Sequence, residues 1–95
     1  MNLTERGKNL ATTHLLGANL SAADLTCAHL VHTDLRGANL SNTNLSGVNL
    51  RYSLLNRANL RNANLSKANL SKACLVNSEL AGANLRNANL IQLAQ

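Results

Sequence analysis

The chain has 95 residues, 45% of them apolar, and a formal net charge of +5 from nine Lys and Arg against four Asp and Glu. That length accommodates one domain, and the absence of a second compositional block leaves no room for a catalytic module beside it. Tyr52 is the single aromatic residue and Trp, Phe and Pro are absent, so the core must be aliphatic, and aromatic stacking platforms for nucleic-acid bases are excluded apart from Tyr52.

The polar start Met1-Asn2-Leu3-Thr4-Glu5-Arg6 carries neither a signal peptide nor a membrane span, which reads as a cytoplasmic protein. Residues 1–8 are expected to form an N-terminal cap in which Thr4-Glu5-Arg6 opens a short helical turn. From residue 9 to residue 92 the chain repeats. Leucine occupies every fifth position: Leu10, Leu15, Leu20, Leu25, Leu30, Leu35, Leu40, Leu45, Leu50, Leu55, Leu60, Leu65, Leu70, Leu75, Leu80, Leu85 and Leu90. Two residues before most of them stands Ala, with Thr or Ser as the commonest substitutes, and between the two lies Asn or Asp, as in Ala38-Asn39-Leu40 and Ala63-Asn64-Leu65.

A period of five fits neither regular element. Five helical steps of about 100° rotate the leucine by about 500°, so an apolar stripe would wander around a helix. A continuous strand alternates faces with period two, and an odd spacing flips each leucine to the other side. The remaining solution is a short extended stretch with Ala in, Asn out and Leu in, then two residues that bend the chain. Repeated, it makes a solenoid with an inward leucine ladder.

These units resemble the pentapeptide-repeat family, whose pattern is a small residue, Asp or Asn, Leu or Phe, and two variable positions. The resemblance implies an all-β fold, a right-handed quadrilateral parallel β-helix of about four coils with 20 residues in each. It also suggests a bacterial source, with cyanobacteria among the candidates. Departures from the pattern fall in columns at that interval: Thr13, Thr33 and Ser53 replace Ala, and His14, Leu54 and Cys74 replace Asn or Asp. One side, roughly residues 13–17, 33–37, 53–57 and 73–77, is therefore irregular. Outward Leu16, Leu54 and Val76 lie on it, with Val31 and Tyr52 at the corner leading into it. With Arg36, Arg57 and His32 nearby, these apolar residues make a candidate partner surface with a polar rim, against the plainer reading of drift in a tolerant solenoid.

At the C-terminal end the repeat stops at Leu90. The remaining residues, with 93–95 as a tail, are too few for a lid. Leu90, Ile91 and Leu93 are thus candidates for end-to-end association, including a homodimer, against a self-folded tail.

The residues that carry chemistry do not assemble into a catalytic set. Cys27 and Cys74 fall on different parts of the coil and are expected to be free thiols. His14, His29 and His32 lack a carboxylate or cysteine to complete a metal site and read as surface histidines. Ser41, Ser46, Ser66 and Ser71 sit at turns with no base beside them. Glu5, Asp24, Asp34 and Glu79 do not pair for acid–base work. The expectation is no enzyme, no cofactor, no metal, no membrane contact, and a scaffold or interaction module with an unknown protein partner.

The alternative is a DNA- or topoisomerase-interacting factor. Family members that act on type II topoisomerases mimic DNA through a strongly acidic surface, so the resemblance implies the opposite charge for that role. Direct nucleic-acid binding is also disfavoured by spacing, since Arg51, Arg57, Arg61 and Lys67 fall on successive sides of one coil. A belt of that kind does not face one duplex.

Overall fold

The computed structural model describes residues 4–93, which form one uninterrupted four-sided parallel β-helix, the right-handed coil that the repeat implies. Each five-residue unit supplies one side and one corner. The unit 28–32 shows how. Ala28 and Leu30 point inward and are buried, while His29 between them points outward and is exposed, as the period-two alternation of an extended stretch requires. Val31 and His32 then form the corner. The amide of Thr33 donates to the carbonyl of Leu30 at 3.2 Å, closing a four-residue turn.

The turn has φ of +60° at its third residue, His32. Residues ending in 2 or 7 share this left-handed value from Gly7 to Gln92, and most are not glycine. A positive φ at the third residue alone is the signature of a type II turn. Each non-glycine residue there pays a local backbone cost, which the stacking of successive corners must outweigh.

Coils hold to one another through backbone hydrogen bonds at a 20-residue step. The amide of Asn49 donates to Ala28 O at 3.0 Å, and the amide of Leu30 donates to Asn49 O at 2.7 Å. The resulting parallel bridges define four sides. The first has rows at Thr4, Asp24, Asn44, Asn64 and Asn84, and the second at Asn9, His29, Asn49, Asn69 and Asn89. The third has rows at His14, Asp34, Leu54 and Cys74, and the fourth at Asn19, Asn39, Asn59 and Glu79. Rows lie about 4.8 Å apart, the parallel-strand spacing.

Leu20 through Leu70 form the inner ladder, packed with Ala23, Ala28, Ala38, Val48, Ala58, Ala63, Ala68 and Ala73. Leu10, Leu15, Leu75, Leu80 and Leu85 are partly buried against it, and Leu90 is 40% exposed. The two buried threonines at the inward Ala position are satisfied locally. Thr33 and Thr43 donate their hydroxyls back to Leu30 O and Leu40 O, at 2.8 and 2.6 Å.

The N-terminal expectation needs correction. Thr4–Lys8 is not a helical turn: Thr4 bridges Asp24, Gly7 has φ of +64°, and the Lys8 amide closes a turn to Glu5 O. Glu5 occupies a leucine position, which hides this unit from a search for leucine. The part of the expected cap at residues 1–3 lies outside the described residues, as do residues 94 and 95 of the expected tail.

Candidate functional site

The outward Asn column is scaffold first. In Asn49, Asn69 and Asn89 the side-chain Oδ1 accepts the backbone amide two residues on, at 3.2, 3.1 and 3.0 Å. This ties each carbonyl oxygen to the corner and steadies the bend. Among the described residues none of these three side chains donates a hydrogen bond through Nδ2, so their N–H groups are left to solvent or a ligand.

The third side is the irregular one, and the structure places its predicted residues apart. Leu54, 39% exposed, lies mid-side between the rows of Asp34 and Cys74. Val31 and Tyr52 lie on the corner before this side, whereas Leu16 and Val76 lie on the corner after it, three rows from each other. The five do not form one apolar patch. Instead, Leu16 and Val76 stand at the two ends of a groove of about 520 Å³, whose middle is lined by Arg36, Gly37, Asn56 and Arg57. Arg36 is held there by Asp34: Nε and Nη2 donate to its two carboxylate oxygens at 2.8 and 2.7 Å. Those bonds hold the Asp34 carboxyl down at about 2. Asn56 donates through Nδ2 to Cys74 Sγ at 3.0 Å. The guanidinium of Arg57 has no carboxylate partner among the described residues.

On the corner before the third side, His32, Tyr52 and Lys72 stack in consecutive rows. The imidazole lies on the phenol ring with centroids 4.8 Å apart and planes 10° from parallel, and Lys72 Nζ donates to Tyr52 Oη at 3.0 Å. The ammonium sits 5.1 Å and the Arg51 guanidinium 5.7 Å from the ring centroid. Lys72 first, by its hydrogen bond and then by its charge, pulls the phenol pKa below the ordinary tyrosine value.

The histidines are dispersed: His14 on the third side, His29 on the second, His32 on the corner between. Among the described residues no three His, Cys, Asp or Glu side chains come close enough to share a metal ion. Cys27 is exposed on the corner between the first and second sides, Cys74 is half-buried on the third, and both are free thiols. Ser46, Ser66 and Ser71 stand at corners, with Ser66 Oγ 3.3 Å from Ser46 Oγ, and Ser41 Oγ donates to Asn39 at 2.7 Å. At the C-terminal end Ile91 is 67% exposed, while Leu93 is partly buried against the core.

Comparison with known proteins decides the family. The model for pentapeptide repeats matches residues 9–42 and 43–80, with 8 copies. The chain belongs to the pentapeptide-repeat family. No protein among the curated ones matches it in sequence. Solved structures of other pentapeptide-repeat proteins do. Rfr23 from the cyanobacterium Cyanothece 51142 superposes with a TM-score of 0.91 at 36% identity, over 92% of this chain and 59% of that one. HetL from Nostoc sp. strain PCC 7120, involved in the regulation of heterocyst differentiation, gives 0.86 at 34%, over 93% and 44%. The protein alr5209, also from Nostoc PCC 7120, gives 0.81 at 34%, over 87% and 74%. The chain thus spans less than two thirds of Rfr23 and under half of HetL. Among the described residues no helix is long and apolar enough to cross a membrane.

Proposed function

We propose that this pentapeptide-repeat chain is a non-enzymatic interaction module that holds a protein partner in the groove bordering its third side. The observation that carries this reading is the lining of that groove: exposed Leu16 and Val76 at its ends and the two guanidiniums of Arg36 and Arg57 between them, on a rigid coil. Apolar contacts separated by fixed donors suit a partner that inserts side chains between rows and places carboxylates or carbonyls at the arginines. Among the described residues that line the groove no nucleophile, base and oxyanion donor converge, and its apolar ends and guanidiniums suit binding. The regulatory part played by HetL agrees with action through contacts. The two free thiols suit a reducing compartment such as the cytoplasm.

The test is retention of a partner by the immobilised chain, compared with Leu16→Asp/Val76→Asp in the groove and Leu54→Asn on the side itself. Both variants change exposed positions and are expected to keep the coil, which circular dichroism checks. Loss of retention in the double variant supports the groove. Equal retention by the wild type and the double variant removes it.

A further inference from the structure

The chain's net charge of +5 has a definite place on the molecule. All four carboxylates are engaged: Glu5 by Lys8 at 3.7 Å, Asp24 by Arg6 at 3.7 Å, Asp34 by Arg36 at 2.7 Å and Glu79 by Arg61 at 2.8 Å. The cations without such a partner among the described residues are Arg51, Arg57, Lys67, Lys72 and Arg86. The belt expected from spacing is therefore broken, because Glu79 neutralises Arg61. Four of the five remaining cations stand on the two corners that bound the second side: Lys67 and Arg86 on one, Arg51 and Lys72 on the other. Lys67 and Arg86 are in adjacent rows, the Lys67 amide donating to Arg86 O at 2.9 Å. Arg51 and Lys72 converge on the Tyr52 ring.

Between these two cationic edges run Asn49, Asn69 and Asn89. With each Oδ1 turned back to the backbone, the side offers outward N–H donors repeated about every 4.8 Å. Among the described residues no side-chain carboxylate lies in these rows or on their corners. Glu5, at the N-terminal edge, is two rows away and held by Lys8.

We infer that this second side binds the phosphate backbone of a nucleic acid, without reading its bases. The inference goes beyond the groove reading and uses a different side of the coil. A surface of amide donors framed by cations calls for a ligand with anionic oxygens recurring along a line, and Lys, Arg and Asn are the residues that contact nucleic-acid phosphates. An acidic protein would bring an apolar interface core, yet apart from Tyr52 the large apolar side chains exposed along this side, Leu90 and Ile91, are confined to its last row. A membrane surface would call for an apolar face to insert, which is missing for the same reason. Base stacking is blocked because the ring faces of Tyr52 are occupied by His32 and by Lys72, which leaves contact with the backbone alone.

Fluorescence anisotropy of a short labelled duplex of mixed sequence, over a salt series, tests this with the full chain. With at most four phosphates neutralised, the slope of log K against log salt is expected at about −3 to −4. Lys67→Gln and Lys72→Gln should each weaken binding several-fold and flatten the slope by about one. Lys67→Arg should retain binding, and a duplex of unrelated sequence should bind within about twofold of the first. Arg57→Gln, which removes the free cation outside this side, should change nothing, and Leu16→Asp/Val76→Asp should also leave duplex binding intact, separating this idea from the groove. Absence of binding at low salt overturns the proposal. So does equal weakening by Arg57→Gln and Lys67→Gln, or tighter binding to polyglutamate or to anionic lipid vesicles than to the duplex.

Discussion

His32 lies flat on Tyr52 at 4.8 Å, the spacing of one coil on the next, so the two rings stack because the backbone places their Cα atoms one row apart. The same register brings Lys72 to the other neighbour position, where its ammonium meets the phenol oxygen at 3.0 Å. Tyr52 is the chain's single tyrosine, and there is no tryptophan, so its titration can be followed without interference. Lys72→Gln should raise the Tyr52 pKa back toward the ordinary value of 10.0, read from tyrosinate absorbance against pH. Arg51→Gln should move it less, because Arg51 is a smaller contributor than Lys72. An unchanged titration in Lys72→Gln would show that the hydrogen bond is not formed in solution.

Asp34 provides a second titration. Its carboxyl is held at about 2 chiefly by the hydrogen bonds from Arg36, with the backbone amide of Arg36 and the charges of Arg36 and His14 adding to the effect. A carboxyl depressed in the folded state favours folding above its unfolded pKa, and that contribution is lost as pH falls through the folded value. The window here runs from about 3.8 down to about 2. Arg36→Gln should return the Asp34 pKa upward and remove that part of the acid dependence. Carboxyl chemical shifts followed by NMR check the first statement, and unfolding midpoints across the same pH range check the second.

The coil and its ladder are legible in the sequence because leucine at every fifth position is a one-dimensional signal, and a corner is needed wherever the period breaks strand alternation. The surface is less legible. Arg61 meets Glu79 and Asn56 meets Cys74 across eighteen residues, pairings that depend on which corners stack and which rotamers reach across. The cationic ring of Arg51, Arg57, Arg61 and Lys67 could be counted from the spacing, but its neutralisation by Glu79 could not. The columns of the apolar residues on and beside the third side follow from the 20-residue step. They do not group because Val31 and Tyr52 stand on the corner before that side and Leu16 and Val76 on the corner after it, three rows from each other with Arg36, Asn56 and Arg57 between them. The first unit is hidden in the sequence because Glu5 takes the place of a leucine.

The inner ladder should respond to truncation according to depth. Leu45 is fully buried with coils on both sides, so Leu45→Ala should cost about 2–5 kcal/mol, the range for a large-to-small change that leaves a cavity. Leu90, 40% exposed in the last row, has less to lose, and Leu90→Ala should cost under about 1 kcal/mol. Denaturant unfolding of the two variants beside the wild type measures the difference. Equal costs would mean that the end row is as well packed as the middle.

Ser53 is the weak point among the inward hydroxyls. Thr33, one row above it, donates to Leu30 O, and Ser78 donates likewise to Leu75 O at 2.7 Å, whereas Ser53 Oγ is buried without a partner. An unpaired buried hydroxyl is costly, and Ala is the residue this position normally carries. Ser53→Ala should stabilise the chain by about 1 kcal/mol. Thr33→Ala, which removes a made bond and a packed methyl, should destabilise it by about 1 kcal/mol or more. Thermal unfolding gives both signs, and a loss in Ser53→Ala would show that the hydroxyl bonds to Leu50 O in solution.

Corner positions separate backbone strain from side-chain crowding. Ala22 is exposed with φ of +59°, so Ala22→Gly removes left-handed strain that outweighs the added freedom of the unfolded chain, a net gain of about 0.5–1 kcal/mol. Among the glycines, Gly37 has open space where a Cβ would stand, so Gly37→Ala brings strain alone, about 1 kcal/mol. At Gly47 the added methyl would also come within 3.1 Å of Cys27 Sγ. At Gly82 it would collide with the Asn62 amide, which must swing away. The expected order of destabilisation is therefore Gly82→Ala, then Gly47→Ala, then Gly37→Ala, read as unfolding free energies from denaturant titrations. If all three cost the same, strain alone governs the corners and the neighbouring row yields freely. A reversed order would mean that the corners are not stacked at a 20-residue step.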